Sequence, residues 1–219
     1  MIEVKDVYKS FGDDLVLNGI SLKVNKGEIV GIAGPNGCGK TTLLRIIAGV
    51  EKADSGDVRV NGKVGVVPQE NVLLPWFTIG DNIGLGLKFK GLKKEEIESR
   101  VSDVAKLLGI EDYLRTYPRR VSGGIARKTS IARALVLNPD ILLLDEPYTG
   151  LDLKSVSNLQ ELLRKINEER EVTMLIISHQ LAELVNIANR IYVFSHKPAR
   201  IKAIIDSDID ALKTLSNIL

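Results

Sequence analysis

The sequence has a single cysteine, Cys38, which excludes an intrachain disulfide framework and a cluster of thiolate metal ligands. Long apolar runs are missing too. Ile141 to Leu144 and Met174 to Ile177 fall far short of the roughly 20 residues that a membrane span requires. Charge of one sign is also lacking: thirty basic residues nearly cancel twenty-eight acidic ones, for a formal charge of +2. With no block of like charges, there is no electrostatic footprint for DNA or RNA, and no nucleic-acid partner is expected. The start, Met1-Ile2-Glu3-Val4, has no basic stretch followed by an apolar one, so the expected compartment is the cytoplasm. Any link to a membrane is then expected to run through another subunit.

What is there reads as an ordinary globular domain. Hydrophobic residues make up 44% of the 219 and charged residues 26%. Short β-type runs, Ile2 to Val7, Ser21 to Val24 and Asp57 to Val60, are separated by Gly12-Asp13-Asp14, Asn25-Lys26-Gly27 and Asn61-Gly62. Asn61-Gly62 predicts a hairpin. Three further runs, Ile29 to Ala33, Ile141 to Leu144 and Met174 to Ile177, do not alternate, as expected of strands buried on both faces of a parallel sheet. Each leads into polar residues, and in open α/β sheets ligands sit at the carboxyl ends of strands. Lys93 to Leu108 reads as a helix, with Ile97, Val101, Val104 and Leu108 on one face and Glu96 paired with Arg100 outside. A second amphipathic helix follows Asp152, with Val156, Leu159, Leu163 and Ile166 on one side. The expected organisation is one domain over 1–219 with a helical lobe at roughly 80–135.

Gly34-Pro35-Asn36-Gly37-Cys38-Gly39-Lys40-Thr41, followed by Thr42, fits GxxxxGK[ST] between a predicted strand and the helix Thr41 to Ala48. Glycines let such a loop wrap closely around phosphate oxygens, with successive N–H groups pointing inward. The helix aims its positive end at the same anion. Lys40 is suited to the β- and γ-phosphates of a nucleoside triphosphate, and the Thr41 hydroxyl to Mg²⁺. Cys38 occupies an unconstrained position, although a helix N-terminus would make its thiol reactive. At the second strand end, Asp145 is suited to Mg²⁺ and Glu146 to polarising the water that attacks the γ-phosphate.

Val121-Ser122-Gly123-Gly124-Ile125-Ala126-Arg127-Lys128-Thr129-Ser130-Ile131-Ala132-Arg133-Ala134-Leu135 resembles the signature of the ATP-binding cassette (ABC) ATPases and its following helix. With the phosphate loop upstream and Asp145-Glu146 downstream, the resemblance covers nearly the whole chain. It implies an α/β fold: a P-loop NTPase with a mostly parallel core sheet, an N-terminal antiparallel β subdomain and an inserted helical subdomain. It implies that Gln69 senses Mg²⁺, that the Thr149-Gly150-Leu151-Asp152 loop crosses to a partner subunit, and that His179 contacts the γ-phosphate. Phe11 matches the aromatic that stacks on adenine, with Tyr8 the weaker alternative, and His196 has no counterpart role. The cofactors implied are ATP and Mg²⁺. The resemblance also implies a head-to-tail, ATP-dependent homodimer, with each nucleotide held by the loop of one copy and Ser122-Gly123-Gly124 of the other. Ile125 stands where the family has glutamine, and Ala126 where it has a basic or polar residue, which weakens the expected contact across subunits.

Leu74-Pro75-Trp76, soon after Gln69, and Ser195-His196-Lys197-Pro198-Ala199-Arg200-Ile201 resemble the nitrate, sulfonate and taurine importer branch. That branch implies transmembrane permease subunits, a solute-binding protein and a peripheral position on the inner face of the cell membrane. The apolar stretch at Trp76 and Phe77 is where a permease helix would dock. Two other readings stay open: a non-transport ABC ATPase, and a weakly hydrolysing regulatory subunit.

Overall fold

A computed structural model describes residues 1–206. The alternating runs near the start form strands β1 (Ile2–Phe11) and β2 (Asp14–Val24), closed by a two-residue turn at Gly12-Asp13 with Gly12 at φ 59°. Strand β4 (Ser55–Val60) pairs antiparallel on the other side of β1, completing a three-stranded sheet in the order β2-β1-β4.

The non-alternating runs become β3 (Ile29–Ala33), β6 (Ile141–Asp145) and β7 (Thr173–Ser178), buried at every position. With β5 (Val64–Val67), β8 (Arg190–Phe194) and β9 (Ile201–Asp206) they form a six-stranded sheet in the order β5-β6-β7-β3-β8-β9. All neighbours are parallel except β8 and β9. Successive side chains enter different cores. Leu142, Leu144, Met174 and Ile176 face the first, while Ile141, Leu143, Leu175 and Ile177 face the second, beneath the three-stranded sheet. Two apolar faces remove any polar alternation from these strands.

Five parallel strands end on one edge, so the residues that follow β3, β5, β6, β7 and β8 meet there. Helix α1 (Lys40–Ile47) follows β3. Between β5 and β6 run α2 (Ile79–Phe89), α3 (Lys94–Leu108) and α4 (Gly123–Leu135), which pack on one another and on the first core. On α3 the buried stripe is Ile97, Val101, Val104, Ala105 and Leu108, and Glu96 and Arg100 pair at 2.6 Å. Helices α5 (Leu153–Arg170) and α6 (Leu181–Val185) flank β7. Among the described residues no helix is long and apolar enough to cross a membrane.

The hairpin expected at Asn61-Gly62 does not form. Strand β4 pairs with β1 and β5 with β6, so the chain there passes from one sheet to the other. Lys63 is drawn away by Asp140: its N–H donates to Asp140 Oδ2 at 2.7 Å, and its carbonyl accepts from the Asp140 N–H at 2.9 Å. A parallel partner on a buried strand offers more apolar contact than a hairpin exposed on one face.

Candidate active site

The loop after β3 owes its path to glycine. Gly37 and Gly39 lie at φ 74° and 115°, and a Cβ on Gly39 would come within 2.8 Å of both Val16 and Leu17. No side chain caps α1, which leaves its first-turn N–H groups for an anion. Lys40 is 5% exposed. Its ammonium donates to the carbonyls of Gly34 at 2.7 Å and Pro35 at 3.1 Å, and lies 3.5 Å from Glu146 Oε1. Thr41 Oγ1 donates to Asp145 Oδ1 at 3.2 Å, joining the helix start to the end of β6.

Glu146 sits at φ 45°, a left-handed conformation that costs a non-glycine residue about 1–3 kcal/mol. Its N–H donates to Ile177 O at 3.0 Å, which keeps the chain beside β7 as it leaves the sheet. Glu146 Oε2 accepts from the His179 main-chain N–H at 3.2 Å and lies 2.7 Å from His179 Nδ1. Strained backbone held by two neighbouring strands is a common feature of reactive centres.

Lys40, Thr41, Glu146 and His179 line one cleft of about 590 Å³ together with Asn36, Gly37, Gly39, Thr42 and Gln69, and Asp145 adjoins it through its hydrogen bond with Thr41. Phe11 also lines it, half exposed, with the Lys9 ammonium 5.1 Å from its ring centroid. Tyr8 is not part of the cleft lining; its hydroxyl lies against Gly19. Ser122, Gly123, Gly124 and Asp152 are not brought there. Ser122 caps α4, accepting from the Ile125 N–H at 3.4 Å, and Asp152 caps α5, accepting from the Ser155 N–H at 2.8 Å. That cap holds the Asp152 carboxyl below its usual range. Ile125 packs partly buried against the first core.

Cys38 requires a correction. Its side chain is 1% exposed and belongs to the second core, so only its main chain is left for a ligand. Burial pushes the thiol up and outweighs the nearby Lys40 charge, so the reactive thiol expected from a helix N-terminus is absent.

Three lining residues escaped sequence reasoning, Asp14, Val16 and Lys197, while Thr149, expected in a loop that crosses to a partner, lines this chain's own cleft. Lys197 reaches the cleft because Ala199 bridges Leu17 in parallel, with the Ala199 N–H donating to Val16 O at 2.8 Å, and Lys197 then pairs with Asp14. Arg127, outside the lining, also went unnoticed: it is buried against the Gln69 carbonyl, and its signal is its place four residues before Ile131 on the buried side of α4.

Burial pushes the Asp145 carboxyl up; the Glu146 charge adds to this, and the Thr41 hydrogen bond, Arg45 and Lys40 oppose it. The folded state therefore holds this proton more tightly than the unfolded chain. Above the unfolded value near 3.9, stability falls as pH rises through the folded value. Asp145→Asn keeps the acceptor for Thr41 and removes the charge, so it should raise Tm at pH 7 by about a few degrees. The gain should vanish near pH 3, where both states of Asp145 are protonated. Thermal melts at the two pH values measure this, and a lower Tm than wild type at pH 7 contradicts it.

Strand, glycine loop, Lys-Thr helix start and paired carboxylates on one sheet edge define a P-loop nucleotide hydrolase. The family model described as "ABC transporter" matches residues 17–149. The aliphatic sulfonates import ATP-binding protein SsuB of Bacillus cereus is 35% identical over 95% of this chain and 86% of its own length. The spermidine/putrescine import ATP-binding protein PotA of Bacteroides fragilis is 39% identical over 89% of this chain but 45% of its own. Among solved structures, the dimeric post-hydrolysis state of the ATP-binding cassette MJ0796, bound to ADP and Pi, aligns with TM-score 0.84 at 30% identity, over 94% of this chain and 99% of that one. CbiO1 from Clostridium perfringens, part of the ABC transporter complex cbiONQ, aligns with TM-score 0.89 at 26% identity, over 99% and 92%. The chain belongs to the ABC transporter family and is an ATP-binding ATPase.

Proposed function

We propose that this chain powers the import of a small solute, of the alkanesulfonate, taurine or nitrate kind, through separate permease subunits, with a solute-binding protein in the complex. It works at the inner face of the membrane as a single domain whose α2, α3 and α4 form a helical subdomain. The likeness to sulfonate-import proteins along most of both chains supports this, as does Trp76, 68% exposed near Gln69 where a permease helix would dock.

The observation that carries the mechanism is the split of the motifs. Lys40, Thr41, Gln69, Asp145, Glu146 and His179 share one strand-end region, whereas Ser122-Gly123-Gly124 form the exposed start of α4 outside it. A second copy arranged head to tail would bring that helix start, with Asp152 nearby, over the first copy's cleft. The residues present fit a Mg²⁺-bound triphosphate: a glycine cradle that a Cβ would fill, an uncapped helix start, and a buried carboxylate beside a hydroxyl. Thr41, Asp145 and Gln69 would hold Mg²⁺, which supplies charge neutralisation on the phosphates. Lys40 would turn from the Gly34 and Pro35 carbonyls to the β- and γ-phosphates. Phe11 would stack on the base. Glu146 would orient the attacking water and take its proton, while His179 steadies that carboxylate and the γ-phosphate.

Solute class is tested in cells whose chromosomal copy carries Lys40→Ala. Uptake of labelled alkanesulfonate, taurine or nitrate should fall to background, with spermidine uptake unchanged. Loss of spermidine uptake alone would assign the polyamine class instead, and unchanged uptake of every solute would remove the transport role.

A further inference from the structure

Arg127 is a charged side chain with 3% exposure, and the three hydrogen bonds it makes go to main-chain carbonyls. Nη1 donates to Pro68 O at 2.8 Å, and Nη2 donates to Gln69 O at 2.6 Å and to Glu146 O at 3.3 Å. The two ends of the planar fork thus take two successive carbonyls of the segment after β5, and one of them also reaches the residue after β6. Further along α4, Arg133 Nη1 donates to Val72 O at 2.7 Å. The helix therefore grips the 68–72 segment at three carbonyls. Arg127 lies three positions after Gly124, about 4.5 Å of rise on one rigid helix.

We propose that Arg127 is a positioning residue that locks Gln69 and Glu146 to α4, so that the helix start offered to a second copy and this chain's own reacting groups move as one body. This rests on the ATPase mechanism above, in which Gln69 and Glu146 act in the cleft. The consequence is communication between the two nucleotide sites of a head-to-tail dimer. Any contact that shifts Ser122-Gly123-Gly124 at one site shifts the carbonyls of Gln69 and Glu146 at the other. A lysine cannot replace the fork, because an ammonium is a single point that cannot hold diverging acceptors in one plane. Burial lowers the affinity of the guanidinium for its proton and the Asp145 charge opposes this; arginine stays cationic where a lysine would be pushed towards neutrality.

The test compares full-length Arg127→Lys and Arg127→Met with wild type in steady-state ATP hydrolysis, thermal melts, calorimetric ATP binding and hydrogen exchange. For Arg127→Lys, kcat should fall 10- to 100-fold, the loss expected when a reacting group moves by about 1 Å. KM and ATP affinity should stay within about threefold, and amide exchange should rise selectively in the 68–72 segment. Arg127→Met should be at least as slow; if it does not fold, Arg127→Lys decides. Wild-type kcat in folded Arg127→Lys overturns the proposal. So does a joint loss of Tm, ATP affinity and kcat in Arg127→Lys, which would mark Arg127 as scaffold alone. Glu146→Gln is run beside them. If it hydrolyses ATP at the wild-type rate, the underlying mechanism has failed; if it is slow while Arg127→Lys is normal, only the Arg127 proposal has.

Discussion

Glu146→Gln will bind ATP as tightly as wild type, or tighter, and turn it over roughly 10² to 10⁴ times more slowly, the range for a positioned general base. The amide matches the carboxylate in shape and keeps an oxygen to accept the His179 main-chain N–H, now made to Glu146 Oε2 at 3.2 Å. Strain at φ 45° is the same for both residues, so the fold has no reason to relax. What goes is the group proposed to take the proton. Affinity does not suffer, because the carboxylate 3.5 Å from the Lys40 ammonium competes with phosphate for that charge. Phosphate release gives the rate and calorimetry the affinity. A wild-type rate would remove Glu146 from the chemistry.

The parts of this site that sequence reveals are those written in contiguous residues. Gly34 to Thr41 announces itself because phosphate wrapping needs glycine at fixed spacing, and Asp145-Glu146 and His179 follow apolar runs whose lack of alternation marks buried strands. What sequence hides depends on acceptors or neighbours far along the chain. Arg127 is met by the carbonyls of Pro68, Gln69 and Glu146, and a carbonyl carries no residue signature. Lys197 reaches Asp14 only because Ala199 bridges Leu17. Asn61-Gly62 has the composition of a hairpin and serves a change of sheet, since β6 is an alternative partner that local sequence does not reveal. Cys38 misleads in another way. A helix N-terminus favours its thiolate, but its burial disfavours it, and burial depends on a core assembled from residues as distant in sequence as Leu17 and Phe194.

In the proposed dimer, Lys40 and Ser122 serve the same reaction from different copies of the chain. Two variants test it, Lys40→Ala and Ser122→Arg. The first removes the charge aimed at the phosphates from both sites of its dimer. The second places a long side chain at both exposed helix starts. Each should be inactive alone, and each should remain folded, because Ser122 is exposed and Ala is readily accommodated on α1. In a mixed dimer the two damaged halves share one site, and the other site joins an intact loop to an intact Ser122-Gly123-Gly124. Circular dichroism and sedimentation with ATP establish folding and association, and single-turnover hydrolysis is then measured as the ratio of the two proteins is varied. Activity should return on mixing and peak near equal amounts. A mixture that stays inactive at every ratio, with both proteins folded and forming mixed dimers, would contradict it.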